Sequence, residues 1–310
     1  MSGVAGVAGV ASLAGLRSPD RGAAILASGP ITGLAHIMNQ PFLRYAFIAG
    51  AAIAIASGLV GYFVVLRSQV FTGDALSHVA FTGALAALAA GADLLIGLYG
   101  ACVLVALAMA ALGTRGQADD TVIGSVFAWI LGLGALFLTI YTTSATGANG
   151  TSGVNVLFGT IFGLSAAQTV VDTAVTLAVS IVVIVIGRPL LFASIDPAVA
   201  SARKVPVRVL GFLFLGLVGV TAAAATQAVG ALLLLGLLAA PAGAAQRVTA
   251  RPFLGLWLSA AIAIVSVWTG LLVAYSEPGI PPSFGILAVA TVSYLTAIAL
   301  TSRRTVTQRS

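Results

Sequence analysis

The sequence predicts an all-α fold, a polytopic transmembrane helix bundle of about nine spans. Three observations carry that reading. The chain is 60% hydrophobic and only 7% charged, against about 25% charged residues in soluble domains. Its mean hydropathy is +1.12. Apolar runs of about 18 residues or more, long enough to cross a hydrocarbon core of roughly 30 Å, recur along most of it. The short alternating segments of a membrane barrel are absent from the pattern.

Three regions follow from the same pattern. Residues 1–40 are rich in Gly, Ala and Ser and broken by Pro19 and Pro30, with Pro41 just beyond, and form a poorly defined N-terminal segment. Its first basic residue, Arg17, follows the apolar stretch, the reverse of the order in a cleavable signal peptide. Residues 41–302 hold the membrane domain, with spans at about 44–66, 74–90, 94–113, 121–143, 165–187, 208–226, 229–246, 253–275 and 284–302. Residues 303–310 form a basic tail.

The charges orient this bundle. The net charge is +6, from 14 basic and 8 acidic residues. The basic residues sit one to three at a time between spans, which is a topology signal and no sign of nucleic acid. With the N-terminus outside, the inner segments hold Arg67, Arg115, Arg188, Arg203, Lys204, Arg208, Arg247, Arg251, Arg303, Arg304 and Arg309. The outer connections between spans carry Asp93 and Glu277, and only Arg17, Arg21 and Arg44 oppose the rule. This orientation leaves the basic tail on the cytoplasmic side of the membrane. Small residues such as Gly50, Ala54, Gly58 and Gly61, or Gly211, Gly216 and Gly219, let helices approach closely.

Ionisable groups inside spans are costly and mark candidate sites. In Gly73-Asp74-Ala75-Leu76-Ser77-His78 the acid and the histidine are four residues apart, on one face of a helix. A carboxylate and an imidazole suit zinc, manganese or ferrous iron. The competing reading makes Asp74 a helix cap and His78 a hydrogen-bonded core residue. Asp172, with Gln168 one turn before it, is a weaker metal candidate near the outer end of the fifth span. His36, the other histidine, lies in the N-terminal segment, and Cys102, alone within an apolar span, offers neither a disulfide nor a cysteine metal site. Between the fifth and sixth spans, Asp196 suits an N-cap and Pro197 a first helical position, with Arg203 and Lys204 at the C-terminal end. A short helix is predicted there. The sole lysine, Lys204, lies outside any phosphate-binding loop, so ATP hydrolysis by that chemistry is excluded, and no enzyme active site is visible.

Three segments together resemble the membrane permeases of metal-ion ABC importers of the zinc, manganese and iron type. Phe63-Val64-Val65-Leu66-Arg67 followed by Gly73 to His78 is similar to the family signature. Val156-Leu157-Phe158-Gly159 resembles its element before the fifth span, and Gly230 to Leu234 with Leu237 to Ala242 a third. Thr82-Gly83 stands where the family often has a proline before the glycine, and Ala198 where the cytoplasmic motif has an acid. The resemblance implies that Asp74 and His78 contact the transported zinc or manganese ion. It implies that the loop of Asp196, Pro197, Arg203 and Lys204 docks on a separate cytoplasmic ATPase subunit. It also implies a homodimer in membrane lipid, an extracytoplasmic metal-binding protein, and no resident cofactor. An ATP-independent cation carrier or channel, and a permease for a metal chelate, are the alternatives. Because Asp74 follows the cytoplasmic Arg67 by only seven residues, residues 68–73 are expected to dip into the bilayer as unwound backbone.

Overall fold

The computed structural model describes residues 40–113, 118–143, 156–232, 234–277 and 279–307, with side chains through residue 302. The N-terminal segment with His36, Arg115, and the side chains of the basic tail lie outside the described residues. In chain order the helices are α1 (Pro41–Leu66), α2 (Val70–Ala89), α3 (Leu94–Leu112), α4 (Asp120–Thr143), a 3-10 turn (Ile161–Gly163), α5 (Ala166–Ile195), α6 (Pro197–Ala202), α7 (Val207–Val229), α8 (Leu234–Val248), α9 (Pro252–Ser276) and α10 (Pro282–Thr307). Among the described residues all regular structure is helical, as the apolar pattern predicted.

Each of the nine predicted spans coincides with a helix. Seven of those helices are long and apolar enough to cross a membrane; α2 and α8 are the exceptions. Thr72, Asp74, Ser77, His78 and Thr82 dilute the apolar character of α2. The apolar run behind α8 includes residues 230–232, which form a turn, leaving 15 helical residues or about 22 Å of rise. Helix α5 departs from expectation in the other direction. It continues eight residues past the predicted end at 187, through Pro189, to Ile195.

Helix α1 is the centre of the bundle, packed on α5, α8 and α9. Its small residues permit that. A Cβ on Gly61 would stand 2.2 Å from the Leu238 carbonyl oxygen, and Ser259 Oγ donates to the Gly58 carbonyl at 2.7 Å. Without a hydrophobic drive between helices in lipid, such close backbone contact and hydrogen bonding hold them together. Helix α2 packs between α3 and α4. Thr82, standing where the resembled signature often has a proline, donates its hydroxyl to the Ile130 carbonyl of α4 at 3.1 Å.

Helix ends that the charge pattern assigns to one side do meet. Arg67 Nε, after α1, donates to Ser194 Oγ in the last turn of α5 at 2.8 Å. Gln246 Nε2, near the end of α8, donates to the Tyr62 carbonyl at 2.9 Å. At the opposite end, the segment 156–160 crosses the end of α7. Thr160 N donates to the Gln227 carbonyl, and Ala231 N to that of Val156. Gly159 (φ 76°) and Gly230 (φ 97°) touch at the crossing, where a Cβ on either would meet the other's backbone within 2.7 Å. The two apolar motifs therefore mark one backbone crossing.

Candidate functional site

The expected unwound dip does not occur. Helix α2 begins at Val70, so residues 70–73 are helical and Asp74 lies inside the helix. The reason is the turn before it. Ser68 N donates to the Val65 carbonyl and Gln69 N to that of Val64, with Ser68 at φ 57°. This paired closure ends α1 and lets α2 begin after three residues, leaving nothing to unwind. The capping reading of Asp74 fails with it, since Gln69 is the N-cap residue.

Asp74 and His78 share the α4-facing side of α2, each half-buried. The His78 ring meets Phe127 of α4 edge-on, with centroids 5.2 Å apart and planes at 77°. Asp74 opens into a cavity of about 310 Å³ lined by Phe71, Asp120, Ile123, Gly124 and Phe127. No hydrogen bond to the carboxylate or the ring nitrogens is present among the described residues, and Ser77 Oγ reaches only the Asp74 carbonyl, at 2.7 Å. A carboxylate and an imidazole left without protein partners beside a cavity can engage a cation. No group of three or more His, Cys, Asp or Glu side chains comes together among the described residues. Two protein ligands with water completing the shell give a weak site suited to release.

Sequence reasoning missed Asp120. Its signal was available: an acid in the first turn of an apolar helix, favourable to the helix dipole. Only the packing of α4 on α2 turns it toward Asp74.

Asp172 belongs to a different cluster. It is 1% exposed, and Tyr99 of α3 donates its hydroxyl to Oδ1 at 2.8 Å. Oδ2, like the hydroxyls of Thr169 and Thr173, has no hydrogen-bond partner among the described residues. Gln168 is occupied in a reciprocal cap with Ser165 and does not accompany Asp172. Tyr99, one aromatic in an apolar run, gave no signal in the sequence.

The predicted short helix forms as α6. Asp196 Oδ1 accepts from Ala198 N at 3.0 Å and Val199 N at 2.9 Å, with Pro197 at the first position. Arg203 caps the C-terminus, Lys204 follows at φ 62°, and both are exposed. A cavity of about 460 Å³ beside α6 is lined by Pro197, Ser201, Pro206, Val207, Arg208 and Val209.

Residues 39–301 match the ABC 3 transport family. The chain belongs to that family. Its ABC 3 relatives include a manganese transport system membrane protein, MntC, of Halalkalibacterium halodurans, 30% identical over 240 residues that cover 76% of this chain and 80% of that protein. The manganese import system permease protein ScaB of Streptococcus parasanguinis is 28% identical over 236 residues, 76% of this chain and 82% of that protein. Among solved structures, PsaBC from Streptococcus pneumoniae in complex with Fab matches with a TM-score of 0.73 at 24% identity, covering 85% of this chain and 95% of that one. An inward-facing metal-chelate type ABC transporter matches with a TM-score of 0.65 at 18% identity, over 86% and 88%. Membership and the apolar helices together make this ABC 3 transport protein a multi-pass protein of the bacterial cell membrane.

Proposed function

We propose that this chain is the translocation subunit of an ATP-driven importer of a divalent transition metal, manganese or zinc, with Asp74 and His78 as a transient site for the ion. The observation that carries this is the pair itself: a carboxylate and an imidazole on one face of α2, unpartnered, beside the α2–α4 cavity. Manganese has the additional support of the relatives named for it. Carboxylate and imidazole ligands suit both metals.

In this reading the ion arrives from an extracytoplasmic binding protein at the end of the bundle that carries Asp93 and Glu277. It leaves at the end that carries Arg67, Arg247 and Arg251, which the charge pattern places in the cytoplasm. Two copies of the chain in membrane lipid would frame the path. Each α6, with Asp196, Pro197, Arg203 and Lys204, would seat on a cytoplasmic ATPase subunit. Asp172 lies apart from the pair in its bond to Tyr99, and its role in this reading is to hold α3 on α5 beside the path.

The test is cellular manganese and zinc content by elemental mass spectrometry. Cells lacking the gene are restored with the native chain, Asp74→Ala or His78→Ala at matched membrane levels. One metal should fall on deletion and return with the native chain alone. A variant that restores it fully removes the proposed site.

A further inference from the structure

We infer that Arg67 is a positioning residue that couples the ATPase-docking helix α6 to the ion-bearing helix α2. The inference rests on the importer reading and concerns how motion reaches its site.

The position of Arg67 is unusual for a charge that sequence assigns to a cytoplasmic turn. Its side chain folds back into the bundle. Nε donates to Ser194 Oγ at 2.8 Å, and the guanidinium carbon stands 4.8 Å from the centre of the Phe214 ring. Both terminal nitrogens are buried without an acceptor among the described residues. Burial lowers its pKa to about 10, so it remains charged at neutral pH. A buried guanidinium with two unused donors is a poor choice for stability alone, because an apolar side chain would avoid the desolvation cost. Such a departure from stable design is characteristic of functional positions.

What Arg67 touches gives the role. Ser194 lies two residues before Asp196, the single residue that both ends α5 and caps α6. Ser194 Oγ also donates to the Leu190 carbonyl at 2.6 Å, which fixes it in the α5 backbone. Phe214 lies in α7, the helix that follows α6. The guanidinium is thus held between the helix that enters α6 and the helix that leaves it. On its other side, Arg67 is the C-cap of α1 and stands three residues before Val70, the start of α2, in the turn closed at Ser68. That turn leaves no slack, and Asp74 follows one turn into α2. A displacement of α6 by a docked partner therefore reaches Asp74 through one side chain, a hydrogen bond and a ring contact. Planar stacking with a directed Nε–H is a property of arginine that lysine lacks.

The test uses the chain assembled with its ATPase in proteoliposomes, comparing native, Arg67→Met, Arg67→Lys and Ser194→Ala. Manganese and zinc uptake, ATP hydrolysis, and metal affinity of the assembled complex are measured together. The expected result is a fall of about tenfold in ions moved per ATP for Arg67→Met and Arg67→Lys, the equivalent of losing one hydrogen bond to a charged group. Hydrolysis and metal affinity should stay within about twofold of native, which a merely structural defect would not leave intact. Ser194→Ala should lower the same ratio with the arginine still present, and it decides the matter if the Arg67 variants do not assemble. An unchanged ratio in Ser194→Ala and in any assembled Arg67 variant overturns the inference. Native complex that hydrolyses ATP but moves neither metal overturns the importer reading instead.

Discussion

The crossing of residues 156–160 over the end of α7 rests on two glycines, and Gly230→Ala tests how much of the bundle depends on it. The perturbation has two parts. Gly230 has φ 97° and ψ 154°, a region almost exclusive to glycine, where a Cβ costs about 1–3 kcal/mol. The new Cβ would also stand 2.3 Å from the Leu157 carbonyl oxygen, 2.5 Å from the Phe158 carbonyl carbon and 2.7 Å from Gly159 N. All three are backbone atoms, so relief requires the two segments to part, and overpacking of this kind costs about 1–3 kcal/mol. The sum, about 2–6 kcal/mol, would lower the melting midpoint by roughly 4–12 °C. The assay is thermal unfolding of the purified protein in detergent, with Gly100→Ala as control. Gly100 is helical and exposed, with nothing within 4 Å of where an added methyl would stand, and alanine there should be neutral or stabilising by up to about 1 kcal/mol. Equal midpoints for Gly230→Ala and Gly100→Ala would refute the reasoning.

Three other outcomes follow from local geometry. Ser68→Gly relieves a left-handed residue and should raise the midpoint, with a gain of up to about 1 kcal/mol; Ser68→Val should lower it. Thr82→Val removes the hook to the Ile130 carbonyl and should cost about 1 kcal/mol in the same assay. Asp172→Leu strands the Tyr99 hydroxyl and should cost about 1–3 kcal/mol. Asp172→Asn, which keeps an acceptor for that hydroxyl, should retain most of the stability, and the pair Tyr99→Phe with Asp172→Leu should recover part of the loss.

The helical class and the positions of the nine apolar segments were legible because lipid imposes length and apolarity on every crossing element. Asp74 with His78 was legible for the same reason, as polar groups stand out where few are tolerated. The α6 helix was readable from Asp196 and Pro197, whose capping chemistry is local. What sequence could not supply was partnership across helices. Asp120 reaches the Asp74 cavity only because α4 packs on α2, and Tyr99 finds Asp172 from a helix 73 residues away in sequence. The same limit explains the mistaken dip at residues 68–73. Ser68 gives no glycine signal for the left-handed turn it adopts, so the tight turn was invisible and an unwound stretch was invoked in its place.

The enclosure of α1 bears on how the protein is made. In its most apolar stretch 78% of the residues are buried, yet α5, α8 and α9, which cover it, are all synthesised after it. Helix α1 is long and apolar enough to cross a membrane, whereas α2, which follows it after a three-residue turn, carries Asp74 and His78 among its apolar residues. Helix α2, with Asp74 and His78, therefore reaches the bilayer directly behind α1 and finds its packing partners only when α3 and α4 follow. Helix α1 then exchanges lipid for protein as each later helix arrives, and the glycines along it stay exposed to the wrong partners until α9 is complete. Biogenesis of this chain therefore completes the packing of α1 late, once the helices that cover it have been made.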